Sequence, residues 1–294
     1  DITHLAFVPG GPLRAVPFDV LPLSGDRRLI ETFETTVLPS VGQALAWWSE
    51  PTRRGGIRIV AYGYSGGGNR AVGATAVAQA REISRYSRRG EAHVAYNATE
   101  ARFRTADMRS AGTLHLAVPM RTTGLTDGGD ALEMVSSPGE DGLLDVGEMG
   151  RLHLGATFVL LAGCPSRREP DLQGPPAPAM ARALFQAGAR SVVRCAWGAS
   201  ATAADRYVLA LYESLAEGTP IGGAVRSAKL RLIADGLGPS AWGAFELVGD
   251  SRFRLPLQRP GTSLLWWLLA AAVAAWLIWM TERRHHRKPL EGTG

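Results

Sequence analysis

The sequence predicts an α/β protein, with a mostly parallel sheet flanked by helices and one C-terminal transmembrane helix. Three observations lead there. From His4 to Val248, short β-rich apolar runs alternate with helical patterns, as they do in βαβ units. Gly and Pro punctuate the joints at Pro9-Gly10-Gly11, Gly66-Gly67-Gly68, Gly188 and Gly238-Pro239. Then seventeen apolar residues run without interruption from Leu264 to Met280, close to the length that crosses a hydrocarbon core.

In chain order, strands are expected at His4–Val8, Ile57–Tyr62, Thr113–Ala117, Thr157–Ala162, Ser191–Cys195 and Phe245–Val248. Helices are expected at Ser40–Trp48, Ala71–Arg88, Ala98–Arg109, Ala177–Ala187, Ala201–Ala216 and Ile221–Ala234. Two stretches read as long loops: Thr122–Gly142, rich in Gly, Asp and Ser, and Pro165–Pro178, rich in Pro and charge. Each follows the C-terminal end of a core strand, the edge of an open parallel sheet where sites form.

The expected organisation is a globular domain over residues 1–257, a linker over 258–262, a membrane-spanning helix over 263–280 and a basic tail over 281–294. Trp266, Trp267, Trp276 and Trp279 cluster toward the helix ends, where indoles prefer the interface. The tail carries Arg283, Arg284, Arg287 and Lys288 against Glu282 and Glu291. By the positive-inside rule this weakly places the tail in the cytoplasm and the domain outside. Cysteine usage argues the other way. Cys164 and Cys195 both lie at or near the ends of apolar β-rich runs, as buried thiols do, and two cysteines make no disulfide scaffold. The expectation adopted is a single-pass membrane protein with a cytoplasmic globular domain. Because the first residue is Asp1 rather than Met, the chain is read as the C-terminal portion of something longer.

A composition of 46% hydrophobic and 20% charged residues is that of a globular protein with a sizeable core. The net charge of +5 is spread along the chain, and no nucleic-acid motif occurs, so no nucleic-acid partner is expected. Ser65–Arg70 reads SGGGNR, without the Lys-Ser/Thr pair of a P-loop. The chain has no GxSxG elbow, HExxH helix or CxxC pair, so neither a metal nor a cofactor is expected.

One constellation carries chemistry. FVLLAGCPS places Cys164 just past a buried strand, at the tip where a nucleophile would stand exposed. Backbone N–H groups at Gly163 and Cys164 would then hold an oxyanion. A cysteine nucleophile needs a base, usually His. The neighbouring strand, TLHLAVPM, ends instead in Pro119 and Met120, and Pro119 stands 45 residues before Cys164. His115 lies four residues earlier, about 13 Å back along the strand, and is expected to be a core histidine bonded to backbone. His153 leads into the cysteine strand from a helix-like segment. His4 and His93 sit in strand-like contexts without partners at metal spacing, and His285 and His286 belong to the tail. Asp127, Asp130, Glu140, Asp141, Asp145 and Glu148 make the loop after the first strand tip acidic. Its default reading is a solvated loop. The alternative is a surface that selects a basic peptide or partner, because an acidic mouth attracts cations.

At these residues the chain resembles the CHAT family of caspase-like cysteine peptidases. HLAFVPGGPLRAVPFDVLP, LIETFETTVLPS, GEAHVAYNATEARFR, LLAGCPS, ALFQAGARSVVRCAW, LALYESLAEGTPIGGAVRSAKLRL and WGAFELVGD match family segments in order, over almost all of residues 4–250. The resemblance implies a caspase-like layout, a protein or peptide partner, an upstream repeat domain, Cys164 at the nucleophile position, and a substrate cleft near the acidic loop with Asp127, Asp130 and Asp141 as its candidates. It also implies a His-Gly pair where Pro119 and Met120 stand. An acidic residue is implied near Ser200 and Ala201, and a polar residue where Pro165 follows the cysteine. Four departures around one site imply a scaffold that has lost its chemistry. The alternative is an active endopeptidase using Cys164 with a non-standard base.

Overall fold

The computed structural model describes residues 2–23, 25–50, 56–64, 66, 70–122, 130–163, 177–261, 272–276 and 279–280. The chain divides into two compact units, Asp1–Arg259 and Pro260–Gly294.

In the first unit the strands are β1 (His4–Phe7), β2 (Glu34–Val37), β3 (Arg58–Gly63), β4 (Glu91–Val94), β5 (Ala111–Ala117) and β6 (Met120–Thr122). They continue with β7 (Asp130–Glu133), β8 (Leu143–Asp145), β9 (Phe158–Leu161), β10 (Ser191–Cys195) and β11 (Phe245–Gly249). The helices are α1 (Leu29–Thr32), α2 (Val41–Ser49), α3 (Arg70–Ser84), α4 (Glu100–Thr105) and α5 (Val146–Arg151). After them come α6 (Ala177–Gln186), α7 (Ala201–Ala216), α8 (Ile221–Ala234) and α9 (Pro239–Trp242).

The main sheet has eight strands in the order β1-β2-β11-β10-β9-β5-β3-β4. From β10 to β4 every pair is parallel, with Val193 opposite Leu160, Leu160 opposite His115 and His115 opposite Ala61. β11 runs antiparallel to β10. Every residue of β5, β9 and β10 is buried, which is why these segments read as continuous apolar runs rather than alternating ones.

Two helical layers cover the sheet. On one face Val193, Leu160 and Phe245 pack with Leu211 and Leu215 of α7 and Val225 and Leu232 of α8. On the other, Val192, Leu161, Leu114 and Leu116 pack with Phe103 of α4, Met149 of α5 and Met180 and Leu184 of α6. In α7 the buried positions Tyr207, Val208, Leu211, Tyr212 and Leu215 recur at helical spacing. Ser200 caps the helix by accepting from the Ala203 N–H. Removing the Leu211 side chain with Ala would cost about 2–5 kcal/mol. One charge is buried in the first layer: Lys229 of α8 pairs with Asp19, which also accepts the Thr35 hydroxyl. Burial pushes the Lys229 ammonium down to about 7.

The six expected core strands and six expected helices all form, with ends that move by up to a few residues. The long-loop reading of Thr122–Gly142 is corrected. β6, β7 and β8 form a separate antiparallel sheet, with Met120 opposite Leu132 and Leu132 opposite Leu144. Leu132, Met134 and Leu144 are buried; three well-spaced apolar residues anchor a segment whose Gly and Asp content reads as loop. β2 and β4 add strands to the main sheet that composition did not single out.

In the second unit, residues 272–276 and 279–280 are helical, with Val273, Trp276 and Trp279 exposed. Among the described residues no helix is long and apolar enough to cross a membrane. The rest of the expected span over 263–280 lies outside the described residues, as does the tail.

Candidate functional site

The tips of β5 and β9 meet at the centre of the main sheet. After the Leu116–Leu161 pair, the Ala162 N–H donates to the Leu116 carbonyl at 2.9 Å and the Gly163 N–H reaches the same oxygen at 3.4 Å. A Cβ on Gly163 would fall 1.7 Å from the Val118 carbonyl oxygen. Only glycine lets the two chains approach this closely. Of the two N–H groups expected to hold an oxyanion, the Gly163 group therefore already has a carbonyl partner. Cys164 and Pro165 lie outside the described residues.

On the β5 side the chain turns through Val118 and Pro119 into β6. The Pro119 carbonyl accepts the Glu133 N–H at 2.8 Å, and Met120 is buried opposite Leu132. A pyrrolidine ring and a thioether thus stand where the resemblance implies His and Gly, and neither takes up a proton. At the corresponding turn after β10, Ser200 is occupied in capping α7 and Ala201 opens that helix.

The histidines are dispersed. His115 is fully buried, its Nδ1 3.4 Å from the Tyr212 hydroxyl of α7. It is a core histidine, as expected, but its neighbour is a side chain rather than backbone. Burial holds its imidazole down at about 3, so it is neutral throughout the physiological range. His93 packs against the Tyr62 ring at 4.8 Å, with its pKa lowered first by burial. His4 pairs with Glu34 at 2.7 Å, and His153 is exposed after α5.

The acidic candidates divide as well. Asp130 is 2% exposed in β7, whereas Asp141 is exposed and accepts the Leu143 N–H. Asp127 lies outside the described residues. Glu140 and Glu148 join the buried Glu100 around Arg104, at 2.8, 2.8 and 3.4 Å. These three carboxylates lie close enough together to hold a cation, but the Arg104 guanidinium already provides the positive charge. Desolvation raises the Glu100 pKa. Much of the acidic loop is thus built into the ion-pair and cap structure that supports β8 and α5.

Cys195, the last residue of β10, is fully buried and disulfide-bonded. The expected buried thiol at Cys195 is corrected by this bond, and Cys164 lies outside the described residues. The residue that sequence reasoning passed over is Arg194. A lone Arg inside the apolar run SVVRCA puts a charge on a buried sheet face, and that alternation was the available signal.

A family model for the CHAT domain matches residues 1–250. The chain belongs to the CHAT-domain family. No curated protein sequence matches it. Among solved structures this CHAT domain is similar to the separase of the Saccharomyces cerevisiae separase–securin complex, with a TM-score of 0.50 and 10% identity over 76% of this chain and 14% of that one. It is also similar to the Arg-specific cysteine proteinase gingipain R, with a TM-score of 0.48 and 12% identity over 74% of this chain and 54% of that one. The chain therefore spans a small part of the separase and about half of the gingipain. At such identities the likeness shows the fold alone. The CHAT domain has a caspase-like α/β architecture.

Proposed function

We propose that this CHAT domain is catalytically degenerate and acts as a membrane-tethered protein-interaction or regulatory module. The observation that carries the reading is Pro119. It stands at the tip of β5, beside the Gly163 that leads into Cys164, where a family peptidase would hold its histidine. Without a base among the described residues at that tip to hold it as a thiolate, a cysteine is a weak nucleophile at neutral pH. His115 does not substitute, because it is neutral and enclosed by the core, with its ring against Tyr212.

The second reading is a working cysteine endopeptidase. What favours it is the cysteine itself, which the resemblance carried by LLAGCPS puts at the nucleophile position. In that case the Cys164 thiolate attacks a peptide carbonyl, with a base recruited from elsewhere in the fold or from a partner.

The tether is residues 263–280, whose apolar run and terminal tryptophans suit a single membrane crossing. The partner is a protein or peptide, with an upstream repeat domain as one source. The test is a thiol-reactive peptide probe on the full chain, with and without reductant. We expect no peptide cleavage in either condition, and Cys164-dependent labelling under reductant no faster than that of an unactivated thiol. Labelling lost in Cys164→Ala, together with cleavage, would overturn the degenerate reading. Carbonate extraction of membranes tests the tether, and release of the chain into the soluble fraction would contradict it.

A further inference from the structure

A cleft of about 90 Å³ lies on the sheet face covered by α6, between that helix and β2. It has several times the room that one water needs. Alternation along β10 puts it on the opposite face from Cys195, because Arg194 shares its face with Val192 and lines the cleft. Arg194 is 4% exposed and is ion-paired with Glu246 of β11 across the antiparallel pair. Its Nη1 is buried with no hydrogen-bond partner among the described residues. Two further guanidinium groups line the same cleft from exposed residues: Arg14, following β1, and Arg182 on α6. Val37, Pro39, Phe185 and Val248 provide apolar walls.

A buried guanidinium with an unmet N–H is a donor in want of an acceptor, and its fork geometry matches a planar carboxylate. The three arginines against the single Glu246 leave a local surplus of positive charge, and the apolar walls suit a short methylene stem. Glu246 also lines the cleft, and its charge opposes a dianion such as phosphate more than a monoanion. We propose that this cleft is a peptide-docking site that receives the side-chain carboxylate of an Asp or Glu in a partner segment. Arg194 is the buried receptor group, with Arg14 and Arg182 as the outer pair. The inference does not depend on whether Cys164 is a nucleophile.

The experiment uses the full chain in mild detergent and four immobilised libraries of end-blocked pentapeptides, random except at the centre. The central residue is Glu, Gln, phosphoserine or Ala. Retention on the Glu library should exceed that on the Gln library about tenfold, and Arg182→Gln or Arg14→Gln should each remove most of that difference. Both residues are exposed, so these variants leave the fold intact, which thermal unfolding checks. Arg194→Lys keeps the charge facing Glu246 but loses the fork, and should weaken retention without changing the melting temperature by more than a few degrees. Equal retention on Glu and Gln, preference for phosphoserine, or Glu retention indifferent to both outer arginines would each overturn the proposal.

Discussion

The tip of β5 and the cleft beneath α6 lie on one sheet and differ in what has been kept. At the tip, Gly163 packs closely against Val118, and Pro119 stands where the resemblance implies a proton-handling residue. In the cleft, a charge has been placed in a strand interior, with a partner in Glu246 and one N–H left over. On the reading proposed above, a framework without its base points to binding. A buried charged group with capacity in reserve points to a ligand. Lys229 shows the contrast: its partner Asp19 also takes the Thr35 hydroxyl, and the group is enclosed at 0% exposure. That pair is structural, while Arg194 is incomplete.

Substitutions at the two places should separate these roles. Glu246→Gln leaves the Arg194 guanidinium buried without a counter-charge, and should lower stability by about 3–5 kcal/mol in denaturant unfolding. A loss under about 1 kcal/mol would mean that water reaches Arg194 freely. At the tip, Gly163→Ala forces a methyl group against the Val118 carbonyl, and overpacking of this kind should cost about 1–3 kcal/mol. A neutral result would show that the strand tips are not held together.

The third effect, spread over several pH units, concerns His115. Its folded-state pKa of about 3 lies below its unfolded value of 6.5, so between these pH values the unfolded chain binds more protons than the folded one. Stability therefore falls as pH drops through that window, by at most about 1.4 kcal/mol per pH unit from this group. His115→Leu should flatten that part of the pH–stability curve relative to the parent. An unchanged slope would mean that His115 has access to solvent and to a proton, which would revive it as a candidate base.

The fold was legible where the chain is most buried. β5, β9 and β10 are apolar on both faces, so their runs were visible without knowledge of their neighbours. The separate sheet of β6, β7 and β8 was hidden because its strands are three or four residues long and Gly and Asp dominate the segment around them. Pro119 could be read from the sequence because the family segments follow in order, and the resemblance fixes its place at the end of TLHLAVPM. The Arg104 cluster could not, because Glu100, Glu140 and Glu148 come from separate parts of the chain and meet only through tertiary packing. Arg194 carried a signal in its strand. The cleft that gives the signal meaning is assembled from β2, β10, β11, α6 and the turn after β1.

The central claim is that the tip holds no working base, and the rate of Cys164 alkylation by a peptide probe measures it most directly. In reduced full-length protein, the rate should rise with pH along an ordinary thiol titration near 8.5, with no Cys164-dependent cleavage of peptide. A rate that is already at its plateau by pH 6, accompanied by cleavage that disappears in Cys164→Ala, would contradict the account.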